Sequence, residues 1–188
     1  GIVSSVLLPD IALLDAELTL GLPPQVTAAT GIDAMVHAIE AYTSSIKKNP
    51  YSDLLALKAL SLLSANIETA TFDGNNVTAR QAMLFGACLA GQAFANAPVA
   101  AVHALAYPLG GHFHIPHGLS NSLVLPHVMA FNLSHAHELY AELAKSITDT
   151  IDCTQSSQDI AQQLIRFISD LIKKLKLPTS LKDLNIQG

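Results

Sequence analysis

The 188-residue chain predicts an all-α fold: a helical bundle of about six to eight helices preceded by a short extended piece. Three observations predict it. Long Ala- and Leu-rich stretches repeat their apolar residues at helical spacing, Pro and Gly/Asn clusters punctuate them at helix length, and nothing beyond residue 20 reads as strand-rich. Half the residues are hydrophobic, 13% are charged and the mean hydropathy is +0.37, a composition that builds a core and excludes a disordered tail. The length fits one domain, or one and a small piece.

In chain order, SSVLLPD and IALLDAEL read as two short extended pieces separated by Pro9 and Asp10, too few strands to stand alone and therefore an edge of another domain. The helical pattern starts at Leu22, with Pro23 and Pro24 in a first turn, and runs to about Thr43, where SSIKKNP breaks it. A second helix follows Asn49 and Pro50 to about Thr69, with Leu54, Leu57, Leu60 and Leu63 to Ile67 near one face. Asp73 to Asn76 form a turn, a third helix spans Val77 to Asn96, and Pro98 closes it. The next is expected from Val99 to about Leu109, interrupted by Pro108, Gly110 and Gly111. Further helices are expected over His117 to Asn132, His135 to Thr148 and Gln158 to Lys176. The last is amphipathic, with Ile160, Leu164, Phe167, Leu171 and Leu175 opposite Asp159, Gln163, Arg166, Asp170 and Lys173.

Ten Lys+Arg against fifteen Asp+Glu give a net charge of −5 with no basic cluster longer than Lys173 to Lys176, which disfavours nucleic acid as a partner. Cys88 and Cys153 lie far apart without a CxxC, so neither a thiolate zinc site nor a disulfide framework is signalled. A reducing cytoplasm fits this usage, and the start GIVSSVLLPD lacks the pattern of a signal peptide. The Gly at position 1 hints at a chain cut from a longer one.

Between Arg80 and Glu138 there is no Asp, Glu, Lys or Arg, yet seven of the eight histidines fall between positions 103 and 137. Such a stretch is expected to be mostly buried, in protein or in lipid. Residues 81 to 102 match the ~20 residues of a membrane span. Gln81, Gln92, Asn96, Pro98 and the missing aromatic and basic flanks favour a central helix of a bundle, so no membrane partner is expected. Histidines in a dry core need a hydrogen-bond partner or a metal.

In GIDAMVHAIE, Asp33 and His37 stand four apart and project from one face of a helix. Alone the pair is weak evidence. Its apolar neighbours Ile32, Met35, Val36 and Ile39 make an exposed ion pair awkward, and buried carboxylates are paired or bind metal. His103 and His117 would lie about 21 Å apart on one continuous helix. A reversal through Pro108, Gly110, Gly111 and Pro116 would bring them together, completing a three-His, one-Asp site suited to Fe²⁺ or Zn²⁺. His112 and His114 form an alternative pair in the loop, while His127, His135 and His137 read as core or surface histidines satisfied by hydrogen bonds.

The runs LPPQVTAATGIDAMVHAIEAYTS and AVHALAYPLGGHFHIPHGLSNSLVLPHVMAFN closely resemble the iron-containing (group III) alcohol dehydrogenases, relatives of dehydroquinate synthase and glycerol dehydrogenase. In that family a nucleotide-binding α/β domain precedes a helical metal-binding domain. The resemblance implies that residues 1–21 are a remnant of the first domain and the crossover, and 22–188 the helical domain, truncated at its C-terminal end. The family's GGGS-like pyrophosphate loop is absent from this sequence. Carried over, the family's metal ligands fall on Asp33, His37, His103 and His117, and its metal is Fe²⁺, or Zn²⁺ by availability. Many members have a His one turn after the third ligand, with a role in substrate or proton handling. Here that position is Tyr107, whose phenol is a poor proton acceptor near neutral pH.

The implied activity is oxidation of a primary alcohol, or reduction of an aldehyde, with NAD or NADP bound mainly by the absent domain. The metal would act as Lewis acid, and the intact protein would be a cytoplasmic homo-oligomer. The chain alone is expected to be inactive. A polyol or hydroxyacid dehydrogenase of the same superfamily, and a non-catalytic metal-binding helical domain, are the alternatives.

Overall fold

A computed structural model describes residues 4–98, 100–184 and 186. Among them are six α-helices: α1 (Pro24–Thr43), α2 (Pro50–Phe72), α3 (Val77–Asn96), α4 (Ala101–Phe113), α5 (His117–Ile147) and α6 (Ser157–Lys174). Their starts are written in the capping chemistry. Asn49, Asn76 and Ser156 each accept a backbone N–H from the residue three further on, and Pro24 and Pro50 fill first-turn positions where no N–H is needed.

Helix α1 is the centre of the bundle. Twelve of its twenty residues are buried, and it packs against α2, α3 and α5. Ile32, Met35 and Ile39 from α1 meet a core continued by Leu60, Leu63 and Ile67 of α2, Leu125, Met129 and Leu143 of α5, and Leu164 and Ile168 of α6. Each such side chain contributes about 1.5–3 kcal/mol by leaving water. Arg80, itself buried, fastens the entry to α1 by donating to Thr27 Oγ1 (2.7 Å), the Gly74 carbonyl (3.0 Å) and the Leu22 carbonyl (3.3 Å).

Four expectations are corrected. The leading segment contains two 3₁₀ turns, Ser5–Leu7 and Ala16–Thr19, in place of extended strands, because a strand exists only with a partner ladder and no described residue offers one. Helix α4 continues through Pro108, Gly110 and Gly111 to Phe113. Pro108 offers no N–H to the Ala104 carbonyl, and Ala104 is exposed, so the missing bond is tolerated. The two helices expected over 117–148 are one, α5, since Asn132-Leu133-Ser134 contains neither Gly nor Pro to end it. Finally, the charge-free stretch is not mostly buried: α4 leaves Leu105, Tyr107 and Phe113 more than half exposed, and Phe131 of α5 is 85% exposed. Lack of charge marks a face that water does not select for, and here part of that face is open apolar surface.

The apolar run 81–102 is divided between α3 and α4, and no single described helix is long and apolar enough to cross a membrane.

Candidate metal centre

Helix periodicity sets one half of the site. Asp33, His37 and Glu40 occupy positions i, i+4 and i+7 of α1 and so share a face, which is turned toward α4 and the start of α5. The other half depends on a reversal. His114 adopts the left-handed conformation (φ 56°), its N–H and that of Ile115 close the end of α4 on the Gly110 and Leu109 carbonyls, and Pro116 restarts the chain as α5 with His117 at its first position. The turn is therefore made by His114 and Pro116, while both glycines remain helical.

Gly118 lets α5 approach α1. A Cβ at this position would stand 2.5 Å from the Ala29 carbonyl oxygen, closer than atoms tolerate. His117 is thereby held over Asp33.

The structure brings Asp33, His103 and His117 together, one ligand atom from each lying within 4.8 Å of the others. Asp33 Oδ1 is 3.7 Å from His117 Nε2 and 3.9 Å from His103 Nε2. Among these three sits the Asn121 amide nitrogen, which donates to Asp33 Oδ1 and lies 3.3 Å from His103 Nε2 and 3.1 Å from His117 Nε2. Asn121 is fully buried and its Oδ1 has no hydrogen-bond partner among the described residues. The Asn121 amide nitrogen thus stands where Asp33 Oδ1, His103 Nε2 and His117 Nε2 converge, while its own oxygen is without such a partner. An orphaned buried amide oxygen is uncommon, and carboxylate and imidazole atoms converging on one point are a donor set that fits a divalent cation.

His37 is not one of the converging three. Its ring stacks on His103 (centroids 4.7 Å apart, 20°) and on Phe94 (4.7 Å, 21°). Burial first, then the neighbouring His103 and His117, push its pKa below the ordinary histidine value against the pull of Asp33, so the ring is held neutral and its lone pair stays available. His103 is buried and His117 half-exposed, so the cluster opens to solvent on the α5 side. Tyr107 stands on that side, stacked on His117 (5.9 Å, 18°) and edge-on to His103 (6.3 Å).

Two residues of the site were missed by sequence reasoning. Glu40 is buried and accepts from His103 Nδ1 (2.6 Å) and the backbone N–H groups of Val102 (2.6 Å) and Ala100 (2.9 Å). Its signal was the continuation of the Asp33-His37 stripe by one more turn inside an apolar helix. Asn121 carries the same kind of signal, one turn after His117. Of the other histidines, His112 and His114 are exposed at the end of α4, His127 is exposed, His135 Nδ1 is 2.8 Å from Ser134 Oγ, and His137 Nδ1 is 2.9 Å from Ser157 Oγ.

Metal sites of helical domains are built in this way, from imidazole and carboxylate side chains on facing helices. Comparison makes this specific. A profile described as Fe-containing alcohol dehydrogenase family, C-terminal, matches residues 27–188. The long-chain-alcohol dehydrogenase 1 of Geobacillus thermodenitrificans is 44% identical over 168 residues, covering 88% of this chain and 42% of that protein. The NADPH-dependent butanol dehydrogenase of Clostridium saccharobutylicum is 38% identical over 178 residues, 95% of this chain and 44% of that protein. The structure of an alcohol dehydrogenase from Oenococcus oeni superposes with a TM-score of 0.88 at 37% identity, covering 92% of this chain and 45% of that one. The chain belongs to the Fe-containing alcohol dehydrogenase family and matches its C-terminal helical region. It spans less than half the length of these relatives.

Proposed function

We propose that this chain is the metal-binding part of an NAD(P)-dependent alcohol dehydrogenase, in which Asp33, His37, His103 and His117 hold Fe²⁺ or Zn²⁺. The observation that carries the reading is the amide of Asn121 at the focus of Asp33 Oδ1, His103 Nε2 and His117 Nε2. One carboxylate and neutral imidazoles are the donor set that borderline divalent ions prefer.

The ion, when bound, supplies Lewis acidity that eases removal of the alcohol proton and hydride loss from the adjacent carbon. The chain's own residues set the conditions. Asp33 brings a carboxylate to a cluster otherwise built of imidazole rings, and burial of His103 keeps water from its inner side. Half-exposed His117 and exposed Tyr107 form the rim that a small alcohol or aldehyde would meet. The Tyr107 hydroxyl can donate to or accept from the substrate hydroxyl, orienting it, but a phenol leaves the proton to another acceptor. NAD or NADP is assigned to the part of the intact protein outside this chain, in keeping with the NADPH dependence of the butanol dehydrogenase relative. Cytoplasmic location and a homo-oligomeric state belong to the same reading, and both cysteines are free thiols, as a reducing compartment would leave them.

Elemental analysis of anaerobically purified intact protein tests the site. One Fe or Zn per chain is expected, lost in His103→Ala together with NAD(P)-linked butanol oxidation. Intact protein that takes up neither metal on reloading overturns the reading. Metal binding without turnover of any alcohol, diol or hydroxyacid would favour the non-catalytic alternative.

A further inference from the structure

Glu40 faces away from the cluster's open side and touches none of the converging ligand atoms, yet it is among the most completely engaged side chains in the molecule. Its Oε1 accepts the Val102 N–H, and its Oε2 accepts both the Ala100 N–H and His103 Nδ1. These three donors lie within the cap and first turn of α4, where Ala100 offers no side-chain cap. A carboxylate borrowed from α1 thus performs the capping that the local sequence lacks.

The same contact decides which nitrogen of His103 carries its proton. With two backbone N–H groups already pointing at it, Glu40 is an acceptor, so Nδ1 is the protonated ring nitrogen and Nε2 presents its lone pair toward Asp33 and His117. The opposite tautomer would put a lone pair against the carboxylate and a hydrogen into the cluster. Stacking of the His103 ring on His37 fixes the remaining freedom, rotation about the ring axis.

We propose that Glu40 is the positioning residue of the site: it holds His103 in the Nδ1–H tautomer and aims Nε2 at the ion. This rests on the ligand set proposed above. An anionic partner behind a ligating imidazole is worth about 10- to 100-fold in metal affinity.

The test is made on the intact protein with Glu40→Gln and Glu40→Asp. In Glu40→Gln the side-chain oxygen can still cap one backbone N–H, but its amide nitrogen must donate to His103 and drives the ring toward the Nε2–H tautomer. Zn²⁺ affinity, measured by competition with a chelator, is expected to fall about 10- to 100-fold, with partial recovery in Glu40→Asp, which keeps the charge. The ring ¹⁵N shifts of His103 in metal-free protein supply a readout that a capping role alone would not move. Nδ1–H is expected in the wild type and Nε2–H in Glu40→Gln. Wild-type affinity with an unchanged tautomer in folded Glu40→Gln overturns the proposal. Should that variant fail to fold, the wild-type spectrum decides, since an Nε2–H ring there overturns it equally. Wild-type protein that binds no Zn²⁺ overturns the ligand set instead, and the tautomer still judges Glu40 separately.

Discussion

Gly118 shows how much one hydrogen atom can govern. Its backbone lies against Ala29 of α1, and a methyl group there would meet a carbonyl oxygen, which cannot rotate aside as a side chain can. Gly118→Ala therefore forces α5 away from α1 at the turn that carries His117. Overpacking of this kind costs about 1–3 kcal/mol. The expected result is a lowered Tm together with metal content reduced out of proportion, since His117 moves from Asp33; unchanged metal content at wild-type Tm would refute the close-approach argument. That Asp33, His103 and His117 could meet was legible in the sequence because helical spacing and a chain reversal restrict which side chains converge, whereas His37, placed with them, stacks beside His103 instead. Glu40 and Asn121 were not legible, although both sit one turn from a residue that was noticed. Each acts through a partner distant in sequence, His103 for Glu40 and Asp33 for Asn121, and such pairings appear only when helices are docked.

Helix boundaries tell a similar story at the next scale. Caps by Asn and Ser announce α2, α3 and α6, and those starts were readable to within a residue. Pro108 and the Gly110-Gly111 pair look like a break but are not, because the flanking residues Val102 and Ala106 are held in the bundle and Ala104, whose carbonyl Pro108 cannot serve, is exposed. Restoring the N–H has a definite consequence. Interior proline costs about 3 kcal/mol of helix stability, offset by up to about 1 kcal/mol of reduced unfolded-state entropy. Pro108→Ala should thus raise stability by about 2 kcal/mol in denaturant unfolding, and a decrease would mean that the ring itself is packed. A second element-scale tie joins α1 to α5, where the Tyr42 hydroxyl donates to Glu142 Oε2 at 2.5 Å. Burial first, and then this bond, hold the phenol's pKa well above its ordinary value. Lys48 lies 3.8 Å over the ring, and Asp53 adds to the upward shift. Because the folded pKa is the higher one, the stabilisation is complete below the unfolded value of about 10 and is lost as pH rises through the folded value. Tyr140, also raised by burial, adds a slope of the same sign. Tyr42→Phe should cost about 1 kcal/mol at neutral pH and flatten the alkaline decline; parallel pH–stability curves for the two proteins would rule the tie out.

For the molecule as a whole, the proposed ligands come from three helices that are unequally anchored. Asp33 and His37 belong to α1, the buried centre, and His117 opens α5, which packs along α1, α4 and α6. His103 belongs to α4, whose packing is mainly against α5 and whose outer face is open. An ion shared among them would secure the least supported helix to the most supported one, so its energetic effect should be local before it is global. A ligand that binds only the folded state stabilises by RT ln(1 + [L]/Kd), about 2.7 kcal/mol at a hundredfold excess over Kd. In the intact protein, chelation is therefore expected to lower Tm and, well below Tm, to speed amide hydrogen exchange across α4 while the core of α1 and α2 keeps its protection. Exchange that quickens uniformly, or not at all, would show that α4 is held by its packing alone. The ion would then be a catalytic passenger on a preformed surface, with no part in assembling it.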